Sequence, residues 1–186
     1  MLIDDYLPQP DFSETHRIEL VAQPGTVYAA LWTTDFGTSL IIRSLLGLRS
    51  LPALILHPAS VRRERKIRLA TIIGSNFGLL GEDAGHEVLL GVTGRFWRPV
   101  GNLLPFNAAD FRGDVPEGVA RAVWNFTVAE MGAGRTLLAT ETRIICGDRL
   151  SRRKFRAYWF FVRPFSGLIR RLMLKAVVRA CEQSSK

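Results

Sequence analysis

No apolar run in the 186 residues reaches the roughly 18–20 that a membrane-spanning helix needs. The best stretch, residues 38–56, is broken by Arg43 and Arg49. No basic segment followed by an apolar core and a small-residue cleavage site opens the chain, so no secretory signal is expected. Cysteine is scarce: Cys146 and Cys181 are the two present, without a C-x-x-C, and they read as buried free thiols in a reducing cytoplasm ahead of a structural disulfide. Histidine is scarce as well. His16, His57 and His86 lie far apart, and no His/Cys/carboxylate cluster has ligand spacing, so neither a metal nor a cofactor is expected. No G-x-S-x-G elbow is present. The G-x-G at Gly132–Gly134 precedes a strand and lacks a third glycine, which excludes a phosphate cradle and leaves a hairpin turn.

Acidic residues are nearly missing from the end of the chain. The net charge is +8, yet residues 149–186 hold eleven Lys/Arg against Glu182 alone. The remainder is close to neutral. Basicity therefore belongs to one terminal element, which disfavours a general polyanion-binding body.

What is present suits one domain over residues 1–186, with 47% hydrophobic residues to form its core. Ile18, Leu20 and Ala22 alternate as in a strand. Pro24 and Gly25 stop it, and Val27, Ala30 and Leu31 then repeat at helical spacing. A second helix is expected over 38–48, then a loop bracketed by Pro52 and Pro58, then a solvated basic run at 62–66. Residues 67–74 fit a short helix or a strand. Residues 77–97 read as a hairpin turning at Asp83-Ala84-Gly85, and 99–117, with Pro99, Pro105 and Pro116, as an irregular connection.

Two long strands follow. Trp124, Phe126 and Val128 share one face of the first; Leu138, Thr140, Thr142 and Ile144 share one face of the second. Pairing across the turn should set Val128 near Leu138, Phe126 near Thr140 and Trp124 near Thr142. The sheet would then have a wet outer face and an apolar inner one. Thr140 and Thr142 are either ordinary strand threonines or sparse polar handles in an apolar pocket.

The covering element is the last. Phe155, Tyr158, Val162, Phe165, Ile169, Leu172 and Ala176 follow a 3-4 spacing through Pro164, which predicts one long helix, kinked at Pro164, with a buried stripe. Burying each large side chain is worth roughly 1.5–3 kcal/mol, so the stripe should pack on the apolar sheet face. Arg153, Arg156, Arg163, Arg170 and Arg171 collect opposite, with Phe160, Leu174 and Val178. That face reads as a solvated back or as a weak contact for an anionic membrane.

Together with "GRFWRP" (94–99), "TETRI" (140–144) and "FRAYWFFVRPFSGLIRRLML" (155–174), this order resembles the START/polyketide-cyclase (SRPBCC) superfamily. The resemblance implies an α+β helix-grip fold: a curved antiparallel sheet wrapped around a long C-terminal helix, with two short helices after the first strand. It further implies an apolar cavity drawing on Trp124, Phe126, Thr140, Thr142, Tyr158, Val162 and Phe165. Members bind lipids, sterols or polyketides, and some catalyse cyclisation. No catalytic signature carries over.

Arg95, beside Phe96 and Trp97, is expected either at the cavity mouth, fixing a polar group, or in an ion pair with Glu87 on the same strand face. Tyr158 needs a partner for its hydroxyl. The expected partner is thus a hydrophobic or amphipathic small molecule. The alternatives are a cyclase-like enzyme and peripheral membrane contact. Nucleic acid is not expected, because the aromatics are committed to the inner stripe. Oligomeric state is not set by the sequence.

Overall fold

The computed structural model describes residues 1–38, 67–75, 77–98 and 103–184. A short helix, α1 (Leu2–Tyr6), precedes the first strand, β1 (Phe12–Val21). Every second side chain of β1 is at least half-buried, as its alternation predicts. Pro24 opens α2 (Pro24–Thr33), where a missing N–H is harmless because first-turn donors have no helical acceptor. Val27, Ala30 and Leu31 are its buried residues. The helix expected over 38–48, the loop at Pro52–Pro58 and the basic run at 62–66 fall outside the described residues, apart from residue 38. The ambiguous stretch after them is helical, α3 (Leu69–Ser75).

The remaining strands are β2 (Gly78–Asp83), β3 (Glu87–Gly94), β4 (Leu103–Leu104), β5 (Ala120–Gly132) and β6 (Arg135–Cys146). They pair antiparallel in the order β1-β6-β5-β3-β2, with β4 added to β3. The register sets Val128 against Leu138, Phe126 against Thr140 and Trp124 against Thr142, as the alternation requires. The β5–β6 turn holds Gly132, Ala133 and Gly134 at φ 80°, 52° and 71°, a left-handed path that explains the two glycines. The last element, α4 (Arg149–Ser184), runs unbroken for 36 residues through Pro164, about 54 Å at 1.5 Å per residue. It packs on β1, β6 and α2. The result is an α+β helix-grip architecture, a curved antiparallel sheet holding a long terminal helix.

Two expectations are corrected. The outer face of the sheet is not wet where β3 and β5 run. Ile3, Leu7, Leu80, Leu89, Phe111 and Val123 form a second core there, beneath α1 and a 3-10 helix at Ala108–Arg112. Glu87 lies buried in that layer, accepting from the backbone N–H groups of Leu2 (2.7 Å) and Ile3 (3.3 Å) and from Asn125 Nδ2 (2.6 Å). It closes the start of α1 instead of pairing with Arg95, whose Nε donates to the Gly118 carbonyl at 3.2 Å. Arg121 reaches under the 3-10 helix to the carbonyls of Phe111 and Gly113, 2.7 Å from each. Strand alternation tells which residues share a face; it does not tell whether a further layer covers that face.

The second correction concerns the phase of α4. Its buried residues are Ser151, Phe155, Gly167, Met173, Leu174, Val177 and Cys181. Phe165, placed on the inner stripe by its spacing, is exposed, and Leu174, placed outside, is core. A strict seven-residue repeat slips by about 20° per heptad on a straight helix of 3.6 residues per turn. Over three heptads from Phe155 the core-facing line therefore arrives at Met173 and Val177, not at Leu172 and Ala176.

Candidate functional site: a polar band in the helix–sheet interface

The alternation of β1 runs on past Ile18. His16 and Glu14 share the inner face with Ile18 and Leu20, so two ionisable side chains are turned toward α4. The register sets Glu14 against Thr142 and His16 against Thr140. Those threonines in turn face Trp124 and Phe126. A polar band thus crosses β1 and β6 and ends against two aromatics of β5, in the middle of a face that is apolar on both sides. Leu20, Leu138 and Val128 lie toward one end, and Phe12, Ile144 and Ala122 toward the other.

Glu14 Oε1 lies 3.0 Å from His16 Nε2, with both side chains largely buried. Glu14 Oε2 is 3.8 Å from Arg163 Nε, an ion pair without a hydrogen bond. Helix α4 comes this close because residue 167 is glycine: a Cβ there would stand 2.6 Å from Glu14 Oε1 and 3.2 Å from His16 Nε2. The two threonines then differ sharply. Thr140 Oγ1 accepts from Trp124 Nε1 at 2.6 Å and donates to the Asn125 carbonyl at 2.7 Å. Thr142 Oγ1 is buried with no hydrogen-bond partner. Thr140 is a structural threonine; Thr142 presents an unused hydroxyl. The Trp124 ring is fixed by Phe77 at 5.5 Å, Phe126 at 5.0 Å and the Arg170 guanidinium at 4.7 Å.

Burial holds the His16 imidazole below its ordinary 6.5; Glu14 opposes this, while Arg171 and Arg170 add to it. An unfolded chain therefore takes up a proton near 6.5 before the folded protein does. Stability should be unaffected by His16 above that pH and fall as pH drops toward the lower folded pKa. Thermal melts between about pH 8 and pH 5 check this. The wild type should lose more Tm than His16→Gln, and parallel curves would contradict it.

A second feature lies at the start of α4, where a cleft of about 520 Å³ is lined by Arg95, Trp97, Arg98, Glu117 and Lys154 among others. Asp148 organises its floor. Its Oδ1 accepts from Ser151 N–H at 2.8 Å, and Oδ2 accepts from Ser151 Oγ and Gly118 N–H, both at 2.6 Å. These bonds hold the carboxyl at about 2 and cap the helix. Neither cysteine is in a disulfide. Burial pushes the Cys146 thiol up to about 12, with Asp11 adding to the shift, so it is not a ready nucleophile.

The nine residues singled out by sequence thus separate into groups. Arg95 and Trp97 line the cleft. Trp124, Phe126, Thr140 and Thr142 lie on the inner sheet face. Tyr158 and Val162 are half-buried on α4, Tyr158 with its ring 5.7 Å from that of Phe155. Phe165 points outward. Sequence reasoning missed Glu14 and His16, although the parity of β1 was the signal that could have found them.

No family model and no curated protein matches the chain. Among solved structures it is similar to TTHA0849 from Thermus thermophilus, at 8% identity and a TM-score of 0.36, over 94% of this chain and 100% of that one. CalU16 from Micromonospora echinospora is similar at 13% identity and a TM-score of 0.32, over 92% and 84% of the two chains. The Zhui aromatase/cyclase from Streptomyces sp. R1128 is similar at 10% identity and a TM-score of 0.33, over 94% and 96%.

Proposed function

We propose that the chain is a START-like binding module of the cytoplasm that holds a hydrophobic or amphipathic small molecule, lipid- or polyketide-like, between α4 and the inner sheet face. The apolar part of the ligand lies along Trp124, Phe126, Tyr158 and Val162. Its polar group meets the Thr142 hydroxyl and the second oxygen of Glu14. One observation carries this reading: the Thr142 Oγ1 buried without a partner in the helix–sheet interface. Such a hydroxyl costs about 1–3 kcal/mol, and valine would fill the same volume without that cost. Sparse polar groups in an apolar wall are how small-molecule sites orient what they bind. Native mass spectrometry of the protein purified from its own host tests the proposal. The expected spectrum shows the polypeptide plus one retained small molecule, released by organic solvent. The bare polypeptide mass alone would count against it.

A second reading, a cyclase-like enzyme acting on a hydrophobic substrate, is favoured by the Glu14–His16 pair. A neutral imidazole held by a carboxylate in a dry interface can take a proton from a bound substrate. Under this reading Glu14→Gln should retain unconverted substrate, told from the molecule on the wild type by chromatography and fragmentation, because a ring closure can leave the mass unchanged. The same molecule on both would leave a carrier.

A further inference from the structure

Helix α4 carries a second apolar face, and this one is turned to solvent. Phe160, Phe161, Phe165 and Leu168 are 76%, 70%, 49% and 40% exposed, and Leu150 is exposed too. At 3.6 residues per turn, Leu150, Ala157, Phe161 and Leu168 fall close to one line along the helix, with Phe165 to one side and Phe160 to the other. Phe160 and Phe161 touch each other edge to face, with ring centroids 5.3 Å apart. The surface around them is cationic. Arg153, Lys154 and Arg156 precede the aromatic cluster, and Arg171, Lys175 and Arg179 follow it, all exposed. Glu182 is the one acid in residues 149–186.

We propose that this face docks on an anionic lipid bilayer. Phe161, Phe165 and Leu168 enter the boundary between headgroups and acyl chains, and the flanking lysines and arginines meet lipid phosphates. Charge complementarity selects this occupant: an aromatic centre between clusters of cations is what a helix lying in the interface plane requires. A nucleic-acid duplex would satisfy the cations but offer the aromatic centre no apolar medium. The docking face is distinct from the inner face that holds the proposed ligand, so the two readings stand or fall separately.

Co-sedimentation of the full chain with vesicles of phosphatidylcholine, alone or mixed with phosphatidylglycerol, tests this at low and high salt. Binding should need phosphatidylglycerol and weaken as salt is added. The double variant Phe161→Ser/Phe165→Ser should lose about tenfold or more in partitioning at unchanged Tm. Three results would overturn the proposal: no binding to phosphatidylglycerol vesicles, undiminished binding by the variant, or retention on DNA without vesicle binding. A fall of several degrees in the variant's Tm would overturn it too, because those rings would then be packing within the protein.

Discussion

Phe155→Ala is expected to lower the unfolding free energy by about 3–5 kcal/mol, the range for deleting a fully buried aromatic ring. Phe155 is 2% exposed. Its ring lies 5.0 Å from Phe12, 6.1 Å from Phe96, 5.7 Å from Tyr158 and 5.7 Å from Trp159, centroid to centroid. It is the contact by which the first turns of α4 are held to β1 and to the segment after β3. Removing it opens a cavity whose walls belong to three separate elements, so collapse around it is limited. A domain of this size has a net stability of about 5–15 kcal/mol, which makes the loss a large share of the total. Equilibrium urea unfolding should show a lower midpoint at an unchanged slope. A loss below about 1 kcal/mol would mean that α4 is not anchored there.

The second large effect is a contrast between two threonines two residues apart. Thr140→Val should cost roughly 1–3 kcal/mol, because it strands the Trp124 indole N–H in the core and removes a donor to the Asn125 carbonyl. Thr142→Val should be neutral or stabilising, because its hydroxyl is buried at 5% exposure and has no partner to lose. Both substitutions keep shape and β-branching, so strand propensity and packing cancel in the comparison. The same urea measurement on both variants decides it. Equal losses would contradict the division of the pair into one structural and one ligand-facing residue.

Much of this architecture is legible in the sequence where neighbours in the chain are neighbours in space. The β5–β6 hairpin is such a case: its turn fixes the register, and the register fixes which threonine faces which aromatic. Helix α4 is another, since apolar spacing persists across Pro164. What escaped depends on contacts distant in sequence. Glu87 looks like a solvated strand residue until α1, more than eighty positions earlier, is placed against it. Glu14 and His16 become a site only when β1 lies against β6, a pairing no local pattern specifies. The shift of the core line from Leu172 and Ala176 to Met173 and Val177 has a different origin: a heptad-like spacing mimics helical period over one or two turns and loses phase over six.

Thr142 is the residue on which the binding proposal rests, and a variant that folds at least as well as the wild type tests it without confusing binding with stability. Wild type and Thr142→Val purified side by side from the native host should give different native mass spectra. The wild type should carry the retained molecule, and the variant should have lost most of that occupancy, about tenfold for one hydrogen bond in a dry site. Equal occupancy of the two proteins, or no retained molecule on either, would contradict a ligand held at this point between helix and sheet.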